Sequence, residues 1–317
     1  MIIFAVIILI YLMANNGKNE EILIGISPFI NGSEYNENIQ GFKDGLAEEG
    51  YIDGENIRYI EENPEGNMEK QFKIVDSFVK NEADLIYTLT TTGTLAAHNI
   101  VPNEIPMVFS IVLYPVEAGL IKSFESSGNH HVGTSKYISS AKQYELFEKI
   151  YPDAKRIAFV HRRGETNSII QYREFKTLFN SKGIEILDIE AYDLRNMRKQ
   201  LEENIDSVDA LYSSCDTLIQ SGGEDIVIEF GKKYKIPVFT CNRDGVLKGA
   251  LMGVVADTYE MGKSAGKKAG RILKGAKPSS IPSELPKENI FINLNTANEL
   301  GLQIPEDLIK EAETMVD

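Results

Sequence analysis

The chain has 317 residues, 43% of them hydrophobic and 25% charged, with a formal net charge of −14. That length suits two domains with packed cores, and the composition excludes a disordered chain. The acidic balance argues against a nucleic-acid partner, which needs a basic face.

Met1–Met13 is almost wholly apolar, and Ala14–Glu21 is polar. The run falls short of the roughly 17–25 residues of a membrane span and fits the apolar region of a targeting segment. No Lys or Arg precedes it and no Cys follows, which sets aside a lipid-bearing cysteine. Residues 1–20 are therefore expected to be a signal or anchor with its linker.

Glu21–Ile26 reads as a first strand, and Glu34–Glu49 as an amphipathic helix with Ile39, Phe42 and Leu46 on its inner face. Asn56–Ile60 follows as a strand and Asn67–Lys80 as a helix, with Phe72, Val75, Phe78 and Val79 expected inside. A strand at Leu85–Tyr87 runs into a turn holding Thr88, Thr90, Thr91, Thr92, Gly93 and Thr94, then into helix-favouring Leu95–Ala97. Met107–Ser110 is a strand, Val116–Phe124 a short helix and His131–Gly133 a short strand. This βαβαβαβ order predicts a parallel sheet with right-handed crossovers.

The alternation restarts after Thr134. Helices are predicted at Ala141–Ile150, Asn167–Asn180, Leu194–Glu203 and Glu224–Lys233. Strands are predicted at Arg156–Val160, Ile184–Ile189, Ala210–Ser213, Val238–Thr240 and Ala250–Val254. Tyr259–Leu273 is a helix rich in small residues, fit for close packing and placed back on the first unit. The tail carries a strand at Asn289–Leu294 and two short helices. The expected division is 21–135 plus 256–280 for one lobe and 136–255 plus 281–317 for the other. The fold class is α/β, two Rossmann-like lobes with parallel sheets joined by a hinge.

The two halves echo each other. Ala83–Thr88 (ADLIYT) resembles Val208–Ser213 (VDALYS), and Ile105–Ser110 (IPMVFS) resembles Ile236–Thr240 (IPVFT). A strand turning through hydroxyl residues into a helix start offers unpaired N–H groups and the positive helix end to an anion. Taken singly, such a turn is also an ordinary N-cap. Two of them facing each other would make the walls of a cleft.

Ligands of open parallel sheets bind beyond the carboxyl ends of the strands. There the chain places Ser27–Asn31, Thr90–Thr94, Ser110–Pro115, His161–Ser168, Ser214–Thr217 and Cys241–Asp244. Hydroxyls and amides dominate, with carboxylates at Asp216 and Asp244 and aromatic rings at Phe29, Tyr35 and Tyr114. That set suits a zwitterion: hydroxyls and helix N–H groups on its carboxylate, an Asp on its ammonium, rings on an apolar side chain. Cys215 and Cys241 have no CxxC spacing and are expected to be buried free thiols, with a disulfide as the other reading. No nucleophile elbow, phosphate loop or metal-binding histidine pattern occurs, so no catalytic group, cofactor or metal is expected.

Several stretches in order carry a family likeness: GFKDGLAEEGYIDGENI at Gly41–Ile57, the Thr92/Thr94 turn, Ile105–Leu120, HVGTS near Val132, and Glu-x-Asn-Ser at Glu165–Ser168. It continues through VDALYSSCDT, Ile236–Leu251, Tyr259–Gly266 and Asn293–Pro305. The chain resembles the ABC-transporter substrate-binding proteins of the tryptophan/tyrosine type, with the type I periplasmic-binding-protein fold. The resemblance implies an extracytoplasmic, monomeric protein that closes two lobes around an amino acid and hands it to a separate permease and ATPase. Carried over by position, it implies ligand contacts at Thr92, Thr94, Ser110, Asn167, Ser168 and Asp216, with Asn242 and Asp244 beside them. Tyr114 stands where the family has an acid. A ligand-sensing module of a receptor or regulator with this fold is the alternative.

Overall fold

The computed structural model describes residues 21–316, so the expected targeting segment at 1–20 lies outside the described residues. β1 (Ile22–Ser27), α1 (Ser33–Glu48), β2 (Ile57–Glu61), α2 (Met68–Lys80), β3 (Leu85–Leu89), α3 (Thr91–His98), β4 (Met107–Val112) and β5 (His131–Ser135) come first. They build a five-stranded sheet in the order β2-β1-β3-β4-β5. Every pairing in it is parallel.

The second sheet begins after α4 (Ser140–Ile150). It uses β6 (Arg156–Arg162), α5 (Thr166–Ser181), β7 (Glu185–Ala191), α6 (Leu194–Asn204), β8 (Ala210–Ser213), α7 (Glu224–Tyr234), β9 (Val238–Thr240), α8 (Arg243–Lys248) and β10 (Met252–Ala256). α9 (Thr258–Leu273) intervenes before β11 (Glu288–Asn293), α10 (Leu294–Leu300), α11 (Glu306–Glu311) and β12 (Thr314–Val316). The seven strands run β12-β11-β10-β9-β8-β6-β7. One pairing departs from the expected parallel sheet: β11 lies antiparallel to β10. The chain reaches β11 from α9 across the other half, so it enters the sheet from the opposite end.

α1 forms because Ile39, Phe42 and Leu46 share a face, and all three are buried. The Asn67 side chain caps α2, Thr90 caps α3, Ser139 caps α4 and Asp257 caps α9, each accepting a first-turn N–H. Two expectations fail. Phe72 is 41% exposed, because the inner face of α2 is set by Gln71, Ile74, Val75 and Phe78. Val116–Phe124 is a run of turns, with Leu120 and Ile121 N–H both donating to Pro115 O, so no helical ladder develops.

α9 lies against α1 in the first half. Gly41 and Gly45 face Gly262 and Gly266, and a Cβ at Gly262 would stand 1.9 Å from the Asn38 carbonyl oxygen. The helices touch backbone to backbone. The chain thus passes between halves after β5, between β10 and α9, and before β11. Two of these crossings run side by side: Ser135 N–H donates to Glu284 O at 2.8 Å, and Glu284 N–H donates to Gly133 O at 3.1 Å.

Candidate functional site

Backbone conformation marks one end of the first sheet. Phe29, Thr90 and Ile111 have φ of +72°, +66° and +54°. They lie at the carboxyl ends of the adjacent strands β1, β3 and β4. Such angles cost bulky and β-branched residues about 1–3 kcal/mol each and gather where function fixes the chain. Here they aim the loops that begin α3. The Thr90 hydroxyl accepts the Gly93 N–H at 3.0 Å, Ser27 Oγ donates to Gln71, and Gln71 Nε2 donates to Gly93 O. The positive end of α3 is thereby held rigid toward the other half.

Of the expected contacts, Thr92 and Phe29 do line a cavity between the halves. It measures about 420 Å³ and is shared with Leu95 and with Arg162–Thr166. Asn167 is buried beside the facing loop, where its Nδ2 donates to Cys215 O and its Oδ1 has no partner among the described residues.

Other expected contacts are turned inward. Thr94 Oγ1 sits 3.0 Å from Thr88 Oγ1. Ser110 takes Asn38 Nδ2 at 2.9 Å and pairs with Thr134, holding α1 and α9 on the sheet. Ser168 donates to the carbonyls of Arg162 and Glu165. Asp216 accepts from the N–H groups of Arg162, Leu218 and Ile219 and from Ser214 Oγ, so its carboxylate is saturated as a cap. Tyr114 donates to Glu174 at 2.9 Å, across the halves, and sits edge-on to Tyr137. Asn242 accepts from Lys136 and Gln220, while Asp244 accepts from Ser33 at 2.6 Å.

Cys215 and Cys241 form a disulfide with Cα atoms 6.0 Å apart, which corrects the expectation of free thiols. Pairing of β8 with β9 brings the two strand ends together, and the bridge ties the loop of Asp216 to that of Asn242. Among the described residues, no three His, Cys, Asp or Glu side chains form a group able to hold a metal ion.

Sequence reasoning assigned no role of their own to the buried charged groups Glu165, Glu224 and Lys136, and read Tyr35 only as a ring. Glu165 is buried and accepts Thr217 Oγ1 at 2.6 Å. Burial first, and the nearby Asp216 charge second, push its carboxyl up to about 7. Glu224 rises to about 7 by burial, against hydrogen bonds from Thr240 and Asn242. Tyr35 donates to Gln220, and burial with the Glu34, Glu165 and Asp216 charges raises its hydroxyl well above the usual range. Lys136 is fully buried and donates to Glu34 at 2.7 Å. A Glu or Lys carries no sign of burial in sequence. The one usable signal was the Glu165-x-Asn167-Ser168 run at a strand end.

The N-terminal end of α3 therefore faces, across the cavity, the loop that carries the buried carboxyl of Glu165, an arrangement suited to a small polar ligand.

The chain matches the family described as ABC transporter substrate binding protein over residues 23–316. It is 32% identical over 281 residues to the Tyrosine-binding protein of Clostridioides difficile (strain R20291), covering 88% of this chain and 81% of that protein. Among solved structures, the ABC domain in complex with L-Trp from Streptococcus pneumoniae superposes with a TM-score of 0.88 at 28% identity, covering 94% of this chain and 100% of that one. A ligand-free, open substrate-binding protein with adhesive properties from Clostridium difficile gives 0.73 at 27% identity, covering 93% and 99%. A myo-inositol-bound solute-binding protein from Bacillus halodurans, at 16% identity, shares the fold. With the fold, the cleft and these matches in agreement, the chain belongs to the ABC transporter substrate-binding protein family.

Proposed function

We propose that this protein captures an amino acid, with an aromatic side chain preferred, outside the cytoplasm and delivers it to the permease and ATPase of an ABC importer. The observation that carries the reading is the cavity that the α3 N-terminus at Thr92 shares with Glu165, beside the start of the helix that buries the unpartnered Asn167 oxygen. Helix N–H groups suit the carboxylate, and the acceptors opposite suit the ammonium. The descriptions of the relatives, tyrosine-binding and L-Trp-bound, support the aromatic preference. Residues 21–135 plus 256–280 and 136–255 plus 281–317 act as two lobes, closing on the ligand about the crossings near Lys136, Asp257 and Ser283. The protein performs no chemistry on its ligand. It works as a monomer, kept outside the cytoplasm by its apolar N-terminal segment.

A thermal-shift screen of the twenty amino acids, followed by calorimetry on those that respond, tests this. A ligand at a hundred times its Kd adds about 2.7 kcal/mol to stability. Tyrosine or tryptophan is expected to raise Tm by several degrees. No shift with any amino acid at millimolar concentration rejects the assignment.

A further inference from the structure

Apart from the Tyr114–Glu174 bond, the side-chain polar contacts between the halves described above gather on one rim of the cleft. The start of α1 meets the loop before α7 and the start of α8. Tyr35 donates to Gln220, and Ser33 donates to Asp244. Arg243 N–H donates to Glu34 Oε1 at 3.1 Å, and its guanidinium grips both oxygens of Glu37 at 3.0 and 2.6 Å. Lys136, on the crossing itself, reaches Glu34 at 2.7 Å and Asn242 at 3.2 Å. Gln220 Nε2 closes the ring on Asn242 at 2.9 Å. The opposite rim, between Thr92 and Arg162–Thr166, keeps its cavity of about 420 Å³.

We propose that this rim is a latch that closes the cleft without ligand, with Lys136 as its positioning residue, and that ligand enters by the opposite rim. None of the latch contacts needs a ligand atom: every donor and acceptor in it belongs to the chain. The partners are specific in direction. The guanidinium of Arg243 engages a carboxylate with two parallel bonds, a geometry that fixes orientation as well as distance. The Glu34–Lys136 pair is buried, and such pairs add little net stability while tolerating only one arrangement. Lys136 thus sets the register of closure, and the half-exposed Arg243–Glu37 pair adds closing free energy. Ligand capture then begins from a mixture of open and closed protein, and the latch slows release.

The inference rests on the capture reading, but its test does not need the ligand. Lys73→Cys on α2 and Lys199→Cys on α6 would carry spin labels on the two halves, both positions being exposed. Distances are measured by pulsed electron resonance in ligand-free protein. The otherwise unaltered chain is expected to show a closed population. Arg243→Ala and Glu37→Gln are each expected to lower the closed-to-open ratio about fivefold, the weight of one half-exposed ion pair. Lys136→Met is expected to broaden the closed distance while far-ultraviolet circular dichroism stays unchanged. With a ligand from the amino-acid screen, Arg243→Ala should speed dissociation about fivefold and leave association unchanged. A ligand-free protein that is open only, or distance distributions that all variants share, overturns the latch. A failed amino-acid screen overturns the ligand assignment and leaves the distance result standing.

Discussion

Asp216 is buried in the loop after β8, and its carboxylate is occupied by three backbone N–H groups and a serine hydroxyl. Its replacement strands those donors in a buried loop. Asp216→Ala is expected to cost about 2–4 kcal/mol of stability in urea denaturation, from a lost cap and unpaired buried groups. Thr92 and Thr94 separate in the same way. Thr92→Val is expected to weaken ligand binding about tenfold by calorimetry with little change in Tm. Thr94→Val, which loses the bond to Thr88, should cost about 1 kcal/mol of stability instead. Glu165 and Glu224 are carboxyls raised above their unfolded values to about 7. A raised carboxyl binds more protons folded than unfolded, so its contribution is fully present below about pH 4.5 and is lost as pH rises through about 7. Glu165→Gln is therefore expected to flatten the fall of Tm between pH 5 and pH 8.

α1 and α9 pack at backbone distance because glycines face each other at Gly41, Gly45, Gly262 and Gly266. A methyl group at any of them meets a carbonyl oxygen near 2 Å away, which a helix cannot yield without moving as a body. Gly262→Ala is expected to destabilise by about 3 kcal/mol or more, read from the denaturation midpoint. The small-residue pattern of α9 was legible in sequence, and so was its need for a close partner. The same reasoning failed at Phe72, where helical spacing pointed inward. Gln71 holds the inner position because it ties β1 to the first turn of α3, and a buried amide breaks the apolar pattern on which such reading depends.

In the whole molecule, hydrogen bonds join the two halves at the α1 rim. Ligand binding is expected to complete closure rather than start it. Small-angle scattering with saturating ligand should give a radius of gyration no larger than without ligand, and Arg243→Ala should widen the difference between the two states. Superimposable curves for that variant with and without ligand would count against hinge closure.

The alternation of strand and helix, its restart after Thr134 and the repeated hydroxyl turns were readable from the chain. Each depends on local periodicity and turn chemistry, which neighbours in sequence carry. The order of motifs was enough to place the chain in its family. The roles of single polar residues were not readable. Ser110 is taken up by Asn38 and Thr134 from distant segments, whereas Ser168 and Asp216 are taken up mostly by their own loops, and composition alone does not tell a loop cap from a ligand contact. Burial of Glu165 and Lys136, the pairing of Cys215 with Cys241 and the clustering of cross-cleft bonds on one rim were not readable either. They arise from strand pairing within the second sheet and from contact between the two halves, and only the tertiary structure brings those partners together.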